Sequence, residues 1–227
     1  MSALAIDLAG HALTLLPQRA AWHAATRTLF VADLHLGKAA SFRALGQPVP
    51  SGTTQDNLGR LAALVAAHAP TRIVFLGDFL HATPARREGV MAPLRQWRAA
   101  HAATRLVLVR GNHDAHAGDP PAELDIEIVE EPWAVAGAPG LLACHHPRHA
   151  EHHATLAGHW HPAVTLRGRA HDHQRLPCFC RVDDLLVLPA FGAFTGASTQ
   201  APPAGSTCYP VGGDRVWPGI AAPGARR

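Results

Sequence analysis

The stretch Leu106-Val107-Leu108-Val109-Arg110-Gly111-Asn112-His113-Asp114 decides the fold: four apolar residues, then a turn glycine followed by amide, imidazole and carboxylate. The apolar run reads as a strand, and ligand-type side chains stand where it leaves its sheet. Upstream, Arg72 to Leu76 delivers Gly77-Asp78 in the same way, and Thr28 to Val31 delivers Asp33-Leu34-His35. Helical periodicity lies between them. Leu58, Leu61, Leu64 and Val65 form one apolar stripe from Thr53 or Thr54, an expected N-cap, to about His68. Val90, Leu94 and Trp97 form another over Gly89 to His101. Strand, ligand, helix, strand, ligand is a βαβ rhythm, and such sheets place sites beyond the carboxyl ends of their strands.

Leu13 to Leu16 adds an early strand, and Gly37 to Gly52 reads as a functional loop with Lys38 and Arg43. After about Glu130 the pattern turns to strands: Gly140–Cys144, Thr155–Gly158, Val164–Leu166, Phe179–Val182 and Leu185–Leu188. Two further ligand segments follow strands there, Cys144-His145-His146 and Gly158-His159-Trp160-His161. The expected architecture is α/β, two mixed sheets packed face to face with helices outside, a four-layer α-β-β-α sandwich. A single domain over residues 1–217 is expected, with a hairpin turn at Val211 to Asp214 and a loose tail over residues 218–227. No repeat or linker is visible.

With 227 residues, 48% apolar and 16% charged, the chain can bury a core, which excludes a disordered polymer. Residues 1–10 have no basic start and carry Asp7, a poor signal peptide. No apolar stretch nears the ~20 residues of a spanning helix, so a soluble, cytoplasmic protein is expected. Cys144, Cys178, Cys180 and Cys208 lack C-x-x-C spacing and read as reduced thiols, with Cys178 and Cys180 on one strand face. A net charge of +3 permits a polyanionic partner without demanding one. Lys38 is the sole lysine among 20 basic residues and stands three positions after His35, where a phosphate contact is expected.

Carboxylate, imidazole and amide ligands suit Mn²⁺, Fe²⁺ or Zn²⁺ better than Ca²⁺ or Mg²⁺. Two ions ~4 Å apart need a bridging carboxylate, and Asp78, from a central strand between the two ligand groups, is the expected bridge. Of 17 histidines the site uses His35, His113, His145, His159 and His161. His145 and His146 compete for one position; His145 directly follows the strand end, and His146 is expected to point to the opposite side. Arg148, three residues past His145, and less strongly Arg43, can grip a phosphate. His81, His149, His152, His153, His171 and His173 read as solvated loop residues, and Trp160 as packing rather than stacking on a base.

Asp33-x-His35, Gly77-Asp78, Gly111-Asn112-His113-Asp114, His145 and Gly158-His159-x-His161 together resemble the signature of the calcineurin-like metallophosphoesterases. The resemblance implies one ion held by Asp33, His35, Asp78 and His161 and a second by Asp78, Asn112, His145 and His159. It also implies His113 near the leaving group with Asp114 orienting it, and its Cys-His-x-Pro147 pattern favours His145. A narrower resemblance runs through Asp33 to Lys38, Phe42-Arg43, Gln47 to Pro50, Gly52 to Thr54, Leu176 to Phe179 and Leu188 to Gly196. These segments are similar to PdeM proteins, ligase-associated DNA damage response endonucleases or phosphoesterases; Cys180 departs from an aromatic position of that pattern. The resemblance implies a DNA phosphodiesterase or nuclease, associated with a DNA ligase and helicase, using in-line attack by a hydroxide between two ions. A phosphomonoesterase or a diesterase for small nucleotide-type substrates uses the same core. A non-catalytic scaffold is disfavoured because no ligand position is lost.

Overall fold

In the computed structural model, residues 2–49, 51–168 and 172–222 are described. The first half alternates strands and helices: β1 (Leu4–Leu8), β2 (His11–Leu16), β3 (Ala20–His23), β4 (Thr28–Val31), α1 (Lys38–Ala44), α2 (Thr53–His68), β5 (Arg72–Leu76), α3 (Glu88–Ala100), β6 (Arg105–Val109), α4 (Asn112–Ala117) and β7 (Ile126–Val129). The second half holds β8 (Trp133–Ala134), β9 (Leu141–Ala143), β10 (Ala154–Ala157), β11 (Ala163–Arg167), β12 (His173–Val182), β13 (Leu185–Val187), β14 (Thr207–Gly212), β15 (Arg215–Val216) and β16 (Ile220–Ala221).

Both sheets are mixed. The first runs in order from β1 to β7, antiparallel up to β4 and parallel from β4 through β7. In the second the path is β15-β14-β12-β13-β10-β9-β8, with β9, β10 and β13 parallel. Alternating side chains divide the core. Leu29, Val31, Ile73 and Phe75 face Leu61, Leu64, Val90 and Leu94 of α2 and α3. Phe30, Val74 and Val107 face the other way, onto Leu156, Phe179 and Leu186 of the second sheet. The four α-helices among the described residues all contribute to the first sheet's flank, through residues such as Ala40, Leu58, Trp97 and Ala117. The second sheet's outer face carries Cys144, Cys178, Cys180 and Cys208, all buried free thiols.

Several expectations change. The loop from Gly37 to Gly52 contains α1, whose first residue is Lys38. α2 is preceded by Gly52 with no side-chain cap, so Thr53 opens the helix rather than capping it. Of the expected loose tail, Ile220 and Ala221 pair with Cys208 and Thr207, because the edge of β14 leaves backbone groups to satisfy. Residues 223–227 lie outside the described residues. The turn between β14 and β15 falls where the sequence suggests. No helix among the described residues is long and apolar enough to cross a membrane.

Candidate metal centre

All five ligand segments leave parallel strands at their carboxyl ends, three from the first sheet and two from the second, and they converge on one spot. The backbone there is bent sharply. Asp33, His35, Asp78, His159 and His161 all adopt positive φ, between 46° and 68°, which side-chain-bearing residues avoid and which collects at functional sites. Gly77, at φ +77°, has His145 packed against it: a Cβ there would lie 2.1 Å from His145 Nδ1. Gly158 is just as tightly enclosed, since a Cβ there would lie 2.7 Å from Leu76 O and 2.8 Å from Asp33 Oδ2.

Asp78 lies between the two ligand groups. Its Oδ2 is 3.6 Å from His35 Nε2 and its Oδ1 is 3.6 Å from His145 Nε2. On one side Asp33, His35 and His161 converge, with His161 Nε2 3.4 Å from Asp33 Oδ1. On the other, His145 Nε2 is 2.8 Å from Asn112 Oδ1 and 3.1 Å from His159 Nδ1. Backbone carbonyls set the tautomers. His145 Nδ1–H donates to Leu76 O (3.0 Å) and His161 Nδ1–H to Gly196 O (3.0 Å), leaving each Nε2 turned inward.

The donor set fits cations. Asp33 and Asp78 are buried, at 0% and 2% exposure, and His35 Nε2 is buried without a hydrogen-bond partner among the described residues; buried carboxylates and an orphaned imidazole nitrogen call for a positive charge. Burial, and then the charge of Lys38, push His35 well below its usual range, so it is neutral and able to ligate. Burial also acts on His161, but its hydrogen bond to Asp33 and that carboxylate's charge outweigh it and raise the value. The half-buried Lys38 ammonium is lowered by desolvation, against the pull of Asp78 and Asp33.

His113 stands beside this set, Nε2 4.0 Å from Asp78 Oδ2, with Nδ1–H donating to His81 O at 3.1 Å. Asp114 does not act on the ring as expected from the sequence. Its carboxylate accepts from the N–H groups of Phe79, Leu80 and Gly111, so it ties the Asp78 loop to the start of α4. Burial, partly offset by those bonds, pushes Asp114 up to about 6.

Two residues escape a reading of the sequence. His81 belongs to the site: its Nδ1 is 3.3 Å from His35 Nδ1, and its ring stacks on His113 at 4.8 Å. Desolvation, with the charges of Lys38 and His113, lowers it to about 4. Its position three residues after Asp78 is the one local signal. Glu131 accepts the N–H groups of His145 (2.6 Å) and His146 (2.8 Å), and pairs with the His146 ring and Arg148. Burial opposes its ionisation, yet the hydrogen bonds from His146 and His145 hold it below the usual carboxylate range.

Near that carboxylate one expectation changes. His146 does not face the opposite side, because the chain after β9 is no longer a strand; its ring lies 4.6 Å from that of His159. Arg148 pairs with Glu131 at 2.6 Å. Arg43 lines a separate cavity of about 380 Å³ with Thr53 and Arg87. His149 pairs with Asp184, and His152 and His153 contact Glu151; His171 lies outside the described residues. Trp160 is half-buried against the cysteine cluster, yet also lines an open cleft.

Residues 26–155, more than half of the chain, match the calcineurin-like phosphoesterase family. The chain belongs to that family, whose members bind two divalent metal ions, and is a metal-dependent phosphoric ester hydrolase. It is similar to Pseudomonas putida nuclease MPE, with 42% identity over 96% of this chain and 100% of that one, and a TM-score of 0.82. Weaker likenesses are Yfce, a phosphoesterase from E. coli (17% identity, 86% and 98% of the chains, TM-score 0.44), and a protein of unknown function from Aquifex aeolicus (19%, 63% and 80%, 0.41). No match was found among curated proteins.

Proposed function

We propose that the protein is a cytoplasmic phosphodiesterase that cleaves DNA, holding two divalent ions of the Mn²⁺ type, with Fe²⁺ and Zn²⁺ also suited to its N and O donors. One ion would be held by Asp33, His35, Asp78 and His161, the other by Asp78, Asn112, His145 and His159. The observation that carries this reading is the two-faced Asp78 carboxylate, 3.6 Å from a histidine nitrogen on each side. The DNA assignment is supported by the likeness to a nuclease over nearly the whole chain and by the PdeM resemblance, which also suggests work beside a DNA ligase and helicase.

Bound there, the ions supply an activated water and neutralise charge on the phosphoryl oxygens. The chain does the rest. Asp78 and Asp33 fix the separation of the two positions, and their burial, at 2% and 0% exposure, shields them from bulk water. As an imidazolium, His113 donates its Nε2 proton to the departing oxygen and keeps Nδ1–H on His81 O. Lys38, whose ammonium feels the charges of Asp78 and Asp33, would contact a phosphoryl oxygen.

The test is metal-free protein reconstituted with Mn²⁺, Fe²⁺, Zn²⁺ or Mg²⁺ and assayed on a small diester, a small monoester, and single- and double-stranded DNA. Cleavage of DNA and of the diester is expected. Hydrolysis of the diester or monoester with no DNA cut under any ion would sink the nuclease reading.

A further inference from the structure

Beside His159 the surface opens into a cleft of about 570 Å³, within the ~300–1,000 Å³ typical of small-molecule pockets. One wall is Trp160 and Pro162. The other is the segment from Ser198 to Pro203, which brings Gln200 and Pro202 to the cleft. This wall is fastened to the metal centre: Ser198 N–H donates to His161 O at 2.9 Å, His161 Nδ1–H donates to Gly196 O, and Arg175 donates to Ser198 O. A phosphodiester held at Asp78 would therefore send one of its two ester arms along this cleft.

The chemistry of the walls selects what that arm carries. Indole and proline rings offer flat apolar faces, and Gln200, also in the lining, has a side-chain amide with both donor and acceptor. Among the described lining residues there is no lysine or arginine, so the cleft is poorly made for a second phosphate. A planar heterocycle with polar edges fits both features, since every base has a π-face and stacking tolerates any sequence. We propose that the cleft is the subsite for the base of the nucleotide next to the scissile phosphate, with Trp160 as its stacking platform. This rests on the nuclease reading above. A paired base would first have to leave its stack, at a few kcal/mol, so the subsite takes unpaired nucleotides.

The test uses the full chain loaded with Mn²⁺ and two single-stranded hexamers, hexathymidylate and the same sugar-phosphate chain without bases. Wild type should cleave the thymidylate with a kcat/KM about tenfold higher, the worth of one stacked base. Trp160→Ala should collapse that ratio toward one, and Trp160→Phe should restore most of it. Equal cleavage of both hexamers by wild type would overturn the subsite while leaving the nuclease reading intact, and does not depend on any variant folding. A loss in Trp160→Ala that is uniform over both hexamers would reduce Trp160 to a packing residue and also overturn it. Cleavage of a small diester with neither hexamer touched would overturn both readings.

Discussion

The two sheets contribute unequal halves of the candidate metal centre. From the first come Asp33, His35 and Asp78, all at 4% exposure or less, together with the half-buried Asn112 beyond β6. From the second come His145, equally buried, but also His159, which is exposed, and His161, whose side chain is 19% exposed. One half is a sealed cradle and the other a rim. On the proposed function, the difference means that substrate would approach across the second sheet's loops, past His159 and Trp160, while the first sheet holds the positions that must not move.

Substitutions in the two halves should therefore differ in kind. The largest effect is expected in the cradle. Asp78→Asn should drop metal content below two ions per chain and lower diester turnover by more than about 10²-fold, the scale of losing one electrostatic contact to a transition state; elemental analysis beside kinetics checks it. Retention of both ions would show that Asp78 is not shared. His113→Ala, next in size, should cost about 10² to 10⁴ in kcat at unchanged metal content, as loss of a general acid does. If it kept full turnover, the acid role would be wrong.

Smaller still is Gly77→Ala. Its Cβ would collide with His145, and its backbone sits at φ +77°, so a loss of about 1–3 kcal/mol in unfolding free energy is expected, with weaker metal binding. A melting temperature equal to wild type would refute the close fit. At the rim, Glu131→Gln should cost on the order of 1 kcal/mol. The sign with pH is fixed by its depressed value: the contribution is present above the usual 4.5 and is lost as pH falls through the folded-state value. Urea midpoints of wild type and variant should thus differ steadily above about pH 5 and converge in more acid solution; a gap that widened on acidification would contradict it.

Much of the cradle is legible in the sequence because each of its candidate ligands follows a local signal, an apolar strand ending in glycine or aspartate. β4 and β5 fall at the expected residues, and α2 spans its periodic stripe. The rim is less legible. Glu131 meets His145 and His146 across 14 and 15 residues of chain, and nothing in a window of local sequence reports such an approach. The same holds for Arg148, whose partner is that same distant carboxylate. His81 gives little sign of itself because one histidine in a loop is ordinarily solvent-facing; only the fold brings it against His35. α1 is hidden by the glycines and prolines that flank it, since a helix of seven residues has little periodicity to display.

Because the ligands come from both sheets, the layer of Phe30, Phe179 and Leu186 between them acts as the spacer of a vice. Whatever is gripped at the mouth also resists separation of the jaws, by about 2.7 kcal/mol when a ligand stands at a hundred times its Kd. The reverse follows by the same linkage: residues in the spacer, remote from any ion, set how tightly the jaws meet and thereby the affinity at their tips.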